Sequence, residues 1–228
     1  MCTVTWLRSG GRYALLSNRD EKRTRLEAAP PSRRTHRGIS YLAPTDPQFG
    51  GTWIATNECG VSVCLLNGRG AQRGDRSRGE VVEHVAASQG DGEVWPRLRR
   101  LALASFAPFV LLVIGGGATQ VLEWNGRRLS RRAISAAYGI LTSSSFEPDA
   151  VHHARLAAFR RRRIDQLQDL IGFHSSHDRG RTAWSVCMHR DDAATVSLTR
   201  IIVTPIQRTM IYQPGAPCER HPAVSLVL

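Results

Sequence analysis

Lysine is almost missing from this 228-residue chain: of 31 basic residues, Lys22 alone is a lysine and the rest are arginine. The arginines are spread along the whole length, which suits a bias in coding composition better than selection for phosphate contacts. Aromatic residues are also scarce at 7%, and none interleaves with a basic run. Nucleic acid is therefore not expected as the primary partner, although a formal charge of +12 could attract acidic ligands such as coenzyme A esters or phospholipid headgroups. No run approaches the roughly 18 apolar residues that a membrane-spanning helix needs. The N-terminus lacks a basic start, an apolar stretch and a cleavage site, so no secretory signal is read and a cytoplasmic location is expected. Cysteines number five, an odd count without paired spacing, which argues against a disulfide framework. Cys59, Cys64 and Cys187 lie in strand-like segments and are expected to pack in the core.

With 42% apolar residues the chain can bury one sizeable core, and a single domain over 1–228 is expected. Short alternating runs predict strands at 2–7, 13–16, 40–42, 52–56 and 61–66, with Asn57-Glu58-Cys59-Gly60 as a hairpin turn. Helical spacing follows at 80–88 and 95–105, separated by Gly90-Asp91-Gly92. Strands are predicted again at 109–114, 120–124 and 129–134, then one long helix over 148–173. The chain closes with strands at 184–189, 195–203 and 210–212. Arg160 to Arg163 read as a solvated helix face. The stretches 29–32 and 68–79 read as loops, the second well placed to cover a pocket. Pattern alone says mixed α+β.

The chemistry begins at the second residue. Cys2 follows Met1, and its side chain is small enough for methionine aminopeptidase to remove the initiator. Cys2 would then carry a nucleophilic thiol and a free α-amino group of pKa about 7.7–8.0, a base on the same residue. Ser9-Gly10-Gly11 is turn chemistry, so two tightly joined strands would return Asn18-Arg19-Asp20-Glu21 to the neighbourhood of Cys2. There a carboxylate could hold a proton and a guanidinium could favour the thiolate. A solvated charge cluster at a strand end is the alternative.

That tetrad, followed by Asp46-Pro47, Gly50-Gly51-Thr52-Trp53-Ile54, Asn57-Glu58-Cys59-Gly60-Val61 and Leu65-Leu66-Asn67, resembles the transport and Golgi organisation 2 family, known by its Asn-Arg-Asp-Glu motif. More distantly the chain is similar to the cholylglycine hydrolase and penicillin V acylase group of N-terminal-nucleophile hydrolases. Weaker resemblance continues through Gly139-Ile140-Leu141-Thr142-Ser143 and Arg181-Thr182. The resemblance implies a four-layer αββα sandwich of two stacked antiparallel sheets. It implies amide hydrolysis or acyl transfer on a small acylated substrate, with Cys2 as nucleophile and Arg19 and Asp20 setting its protonation. It assigns Asn67 to the oxyanion hole and Arg181 to a second cation. Where those hydrolases place a further asparagine, this chain has Ser143, a shorter group with a single donor. Arg19 and Asp20 are adjacent, so on a strand they point to opposite faces and only one need face Cys2.

The same resemblance carries a second reading, a non-catalytic protein binding haem or acyl-coenzyme A on this fold, since eukaryotic members are linked to secretory-pathway organisation, lipid homeostasis and haem handling. No cofactor or metal site is expected from the residues. His174 and His177-Asp178 offer ligand types, but the sequence shows no third or fourth partner, and they read as solvated histidines. His152 and His153 are adjacent and do not converge on one helix face.

Overall fold

The computed structural model describes residues 2–70 and 72–228. Met1, whose removal is expected, and Ala71, inside the expected 68–79 loop, lie outside the described residues. In chain order the elements are β1 (Cys2–Ser9), β2 (Arg12–Lys22), β3 (Ala29–His36), β4 (Ile39–Thr45), β5 (Ile54–Asn57) and β6 (Ser62–Asn67). Then come α1 (Gly79–Ala86), α2 (Asp91–Arg99), β7 (Phe109–Ile114), β8 (Thr119–Trp124), β9 (Leu129–Ile134) and β10 (Tyr138–Ser143). The last third holds α3 (Pro148–Arg160), α4 (Leu167–His174), β11 (Ala193–Val203), β12 (Arg208–Pro214) and β13 (Val224–Val227). Contacts divide the chain into two compact units, the first Met1–Arg25, Ala136–Pro205 and Ile211–Ser225, the second Leu26–Ser135, Ile206–Met210 and Leu226–Leu228.

The first unit is built on a six-stranded sheet of order β10-β1-β2-β11-β12-β13. Its register is set locally. Gly10 and Gly11 both have positive φ, +55° and +76°, the conformation of the two-residue turn that matches strand twist. That turn pairs Ser9 with Arg12 and so, counting back along the antiparallel ladder, Cys2 with Arg19. A slip of one residue would turn every side chain of β1 to the wrong face. On the other edge of β1, β10 pairs antiparallel and places Ser143 opposite Cys2. One face of this sheet carries an apolar cluster of Ala14, Leu16 and Leu198 with Ala158, Phe159, Leu170 and Phe173 from α3 and α4. Burying each large apolar side chain there contributes about 1.5–3 kcal/mol.

The second unit is a seven-stranded sheet of order β3-β4-β5-β6-β7-β8-β9, antiparallel in each of its pairings. Val81, Val82 and Val85 of α1 and Val94 and Leu98 of α2 pack with Val63, Leu65, Leu111 and Val113 of the sheet. The motif residue Asn57 is buried here. Its amide donates to the carbonyls of Ala86 and Ser88, and its Oδ1 accepts from Val61 N–H, stitching the end of α1 to the β5–β6 turn.

Several sequence expectations change. The long helix over 148–173 is two helices. Gln166 and Asp169 form a capping box, and Asp169 also accepts from the Asp165 amide, so these amides find side-chain partners and the helix restarts. Residues 29–32 form part of β3, an edge strand, where prolines are tolerated because no ladder N–H is demanded of them. Asp91 and Gly92 open α2 instead of separating it from α1, and α2 ends at Arg99. Residues 184–189 form no strand: the Cys187 amide donates to Ser176 O, and an isolated antiparallel bridge joins His189 to Ala194 at the start of β11. Cys59 is exposed in the β5–β6 turn, whereas Cys64 and Cys187 are buried.

Candidate active site around Cys2

Cys2 heads β1 with Arg19 of β2 on one side and Ser143 of β10 on the other, and Ser197 of β11 continues the row beyond Arg19. Directly paired residues project from the same face, so these four side chains share one face of the sheet. Arg19 is buried and lies 3.5 Å from the Glu21 carboxylate, two positions along the same face. The hydroxyls of Ser143 and Ser197 are buried and have no hydrogen-bond partner among the described residues. Burial pushes the Cys2 thiol above its ordinary pKa, and the Asp20 carboxylate pushes it the same way. A hydrogen bond from the Asp20 backbone and the Arg19 guanidinium pull it back, but less strongly.

Asp20 itself lies on the opposite face, with Thr3. Its Oδ2 accepts from Arg155 Nη1 at 2.9 Å and its Oδ1 accepts from Thr195 Oγ1 at 2.7 Å. The same Arg155 nitrogen donates to Thr3 Oγ1 at 2.7 Å, and Arg155 Nη2 reaches Ala183 O at 3.4 Å. Arg155 was not anticipated. Its signal is in the sequence, because Val151, Ala154, Ala158 and Phe159 form the buried stripe of α3 and Arg155 occupies a position on that stripe. An arginine there must find an anion, and Asp20 is that anion.

Asn18, the first motif residue, also faces α3 and α4. Its amide nitrogen donates to the carbonyls of His174 and Val186, both at 2.9 Å. That leaves Oδ1 to accept from His174 Nδ1 at 2.9 Å, so His174 Nε2 is the acceptor for Thr5 Oγ1 at 2.8 Å. His174 is fully buried rather than solvated, and burial, helped by the Arg155 charge, pushes its pKa down to about 3. The tetrad thus divides by alternation: Arg19 and Glu21 on the Cys2 face, Asn18 and Asp20 in the helix-side network.

Of the other expected residues, Asn67 ends β6 in the second unit, exposed and paired with Phe109. Arg181 lies in an exposed turn, where its charge acts on His177 and His189. Arg155 is the cation that pairs with Asp20. His177 is not a solitary loop histidine, since it gathers with Cys187, His189 and Cys218.

Three solved structures have similar folds. An N-acylethanolamine-hydrolyzing acid amidase ortholog from Caenorhabditis elegans has a TM-score of 0.65 at 15% identity, over 88% of this chain and 92% of that one. Penicillin V acylase from Agrobacterium tumefaciens has a TM-score of 0.59 at 11% identity, over 99% of this chain and 86% of that one. A variant of conjugated bile acid hydrolase from Clostridium perfringens has a TM-score of 0.61 at 12% identity, over 98% and 92%. These likenesses show the fold class, the αββα type expected from the sequence resemblance. No helix among the described residues is long and apolar enough to cross a membrane. No curated protein matches the chain. The Transport and Golgi organisation 2 family matches residues 1–179, most of the length, and the chain belongs to that family.

Proposed function

We propose that Cys2, freed by removal of Met1, is the nucleophile of an amide hydrolase or acyltransferase acting on a small acylated substrate. One observation carries the reading: Cys2 stands between Arg19 and Ser143 on a polar row. Burial raises the thiol pKa in the chain that carries Met1, so a base close by would assist attack. A free α-amino group on Cys2 would be that base. It would take the thiol proton as Sγ attacks the carbonyl carbon and give it to the departing amine, leaving an acyl group on sulfur for water or a second amine to remove. Arg19 favours the thiolate. Asp20 acts from the opposite face, its N–H on the thiol and its carboxylate fixed by Arg155 and Thr195. Ser143, with a hydroxyl that the fold leaves unused, would donate to the substrate. Asn67 as oxyanion donor and Arg181 as a further cation rest on the family resemblance alone.

The test is the mass of the N-terminal peptide from untagged protein, before and after brief exposure to an electrophilic acyl analogue. Loss of Met1 with the analogue on Cys2 alone is expected, followed by hydrolysis of an N-acyl amide panel that Cys2→Ala abolishes. Retention of Met1 in active protein would overturn the mechanism. Saturable haem or acyl-coenzyme A binding that survives Cys2→Ala, with no hydrolysis, would favour the binding reading.

A further inference from the structure

We infer that His177, Cys187, His189 and Cys218 form a structural zinc site, separate from the row that holds Cys2. Their ligand atoms all lie within 4.8 Å of one another. His189 Nε2 is 3.5 Å from Cys187 Sγ, 3.4 Å from Cys218 Sγ and 3.1 Å from His177 Nε2. Tetrahedral zinc with bonds of about 2.3 Å to sulfur and 2.0–2.1 Å to nitrogen places its ligands roughly 3.3–3.8 Å apart. The two sulfur distances fall in that range, the His177–His189 separation is slightly shorter, and a small adjustment of the side chains closes such a shell. A single hydrogen bond does not account for all three contacts, because the ring nitrogen has either one proton or one in-plane lone pair and faces three partners at once. A cation at the common focus takes a lone pair from each of the four.

The ligand set selects the metal. Two thiolates and two imidazoles in a tetrahedron suit zinc, and four protein ligands leave no open position, which marks a structural rather than a catalytic site. Binding releases the two thiol protons, so Zn²⁺ and two thiolates are together neutral, a tolerable neighbour for Arg181. Cys187 is buried, and His177, His189 and Cys218 are partly buried.

The position of the site supplies an independent argument. Residues 175–192 connect α4 to β11 without a helix or strand of their own, longer than compact domains usually allow without a constraint. Three of the four ligands lie in that segment, and Cys218 follows β12. The metal would staple the segment to the end of that strand. Met188, between two ligands, donates its N–H to Thr195 Oγ1, the hydroxyl that in turn donates to Asp20. The staple therefore also holds Thr195, a side-chain partner of Asp20.

The experiment uses full-length protein carrying no histidine tag, grown with zinc and analysed for metal and for free thiols. One zinc per chain is expected. After chelation, Co²⁺ should give tetrahedral ligand-field bands with thiolate charge transfer, and Zn²⁺ should abolish them. Cys218→Ser should lose the metal, while Cys59→Ser, which alters an exposed thiol outside the ligand set, should keep it. If Cys218→Ser does not fold, cobalt titration of the chelated wild type decides by itself. Substoichiometric zinc with no thiolate charge transfer would overturn the site, as would isolation of Cys187 and Cys218 as a disulfide in metal-free protein.

Discussion

Arg155 and Asp20, 135 residues apart in the chain, meet at 2.9 Å with neither side chain exposed to solvent. Removing one partner of such a pair strands a buried charge, which costs about 3–5 kcal/mol. Arg155→Leu should therefore lower unfolding stability by about that amount, measured by urea denaturation. Combining it with Asp20→Asn should cost less than the sum of the single changes, since the second removes the charge that the first left unpaired. Additive losses would mean that the two residues are not coupled.

His174 makes the fold acid-sensitive. Its pKa falls from 6.5 to about 3 on burial, so between those values the unfolded chain binds the proton and the folded chain does not. Its contribution is fully present above about pH 6.5 and is lost as pH falls toward 3, at up to about 1.4 kcal/mol per pH unit. Denaturant midpoints from about pH 7 to about pH 4 should fall accordingly. His174→Gln, destabilised at neutral pH, should show a shallower decline.

Ser143 lets the proposed catalysis be tested apart from folding. Its hydroxyl makes no hydrogen bond among the described residues, so Ser143→Ala should leave the melting temperature unchanged. If the hydroxyl donates to a bound substrate, kcat/KM on an N-acyl amide should fall about tenfold, the loss of one hydrogen bond of about 1.4 kcal/mol. An unchanged kcat/KM would remove Ser143 from the site.

Gly139 stands opposite Trp6, and a Cβ at that position would overlap the indole ring. Gly139→Ala should destabilise the protein by about 1–3 kcal/mol, the usual cost of overpacking. A lowered thermal unfolding midpoint relative to the wild type reads the effect, and an unchanged midpoint would mean that the indole ring moves aside.

Much of the site was legible because it is local. Cys2, the Gly10-Gly11 turn and the 18–21 tetrad lie within one hairpin, and a two-residue turn leaves a single register. The division of the tetrad between two faces follows from the same alternation. Arg155 was obscured because a helix assumed to be continuous over 148–173 blurred the stripe on which it lies. The ligand cluster was obscured for a different reason: its members are not spaced as a motif, and Cys187 by itself reads as a small core residue.

What the sequence determined by itself is therefore short-range: the turn, the pairing of Cys2 with Arg19, and the strands whose alternation is undisturbed. These depend on backbone sterics and side-chain period, which neighbouring residues specify. Only the tertiary structure decided that Asp20 is answered by Arg155, that His174 is buried against Asn18, and that His177, Cys187, His189 and Cys218 converge. Those contacts join segments far apart in the chain, and their energies exist only once packing has excluded water from between them.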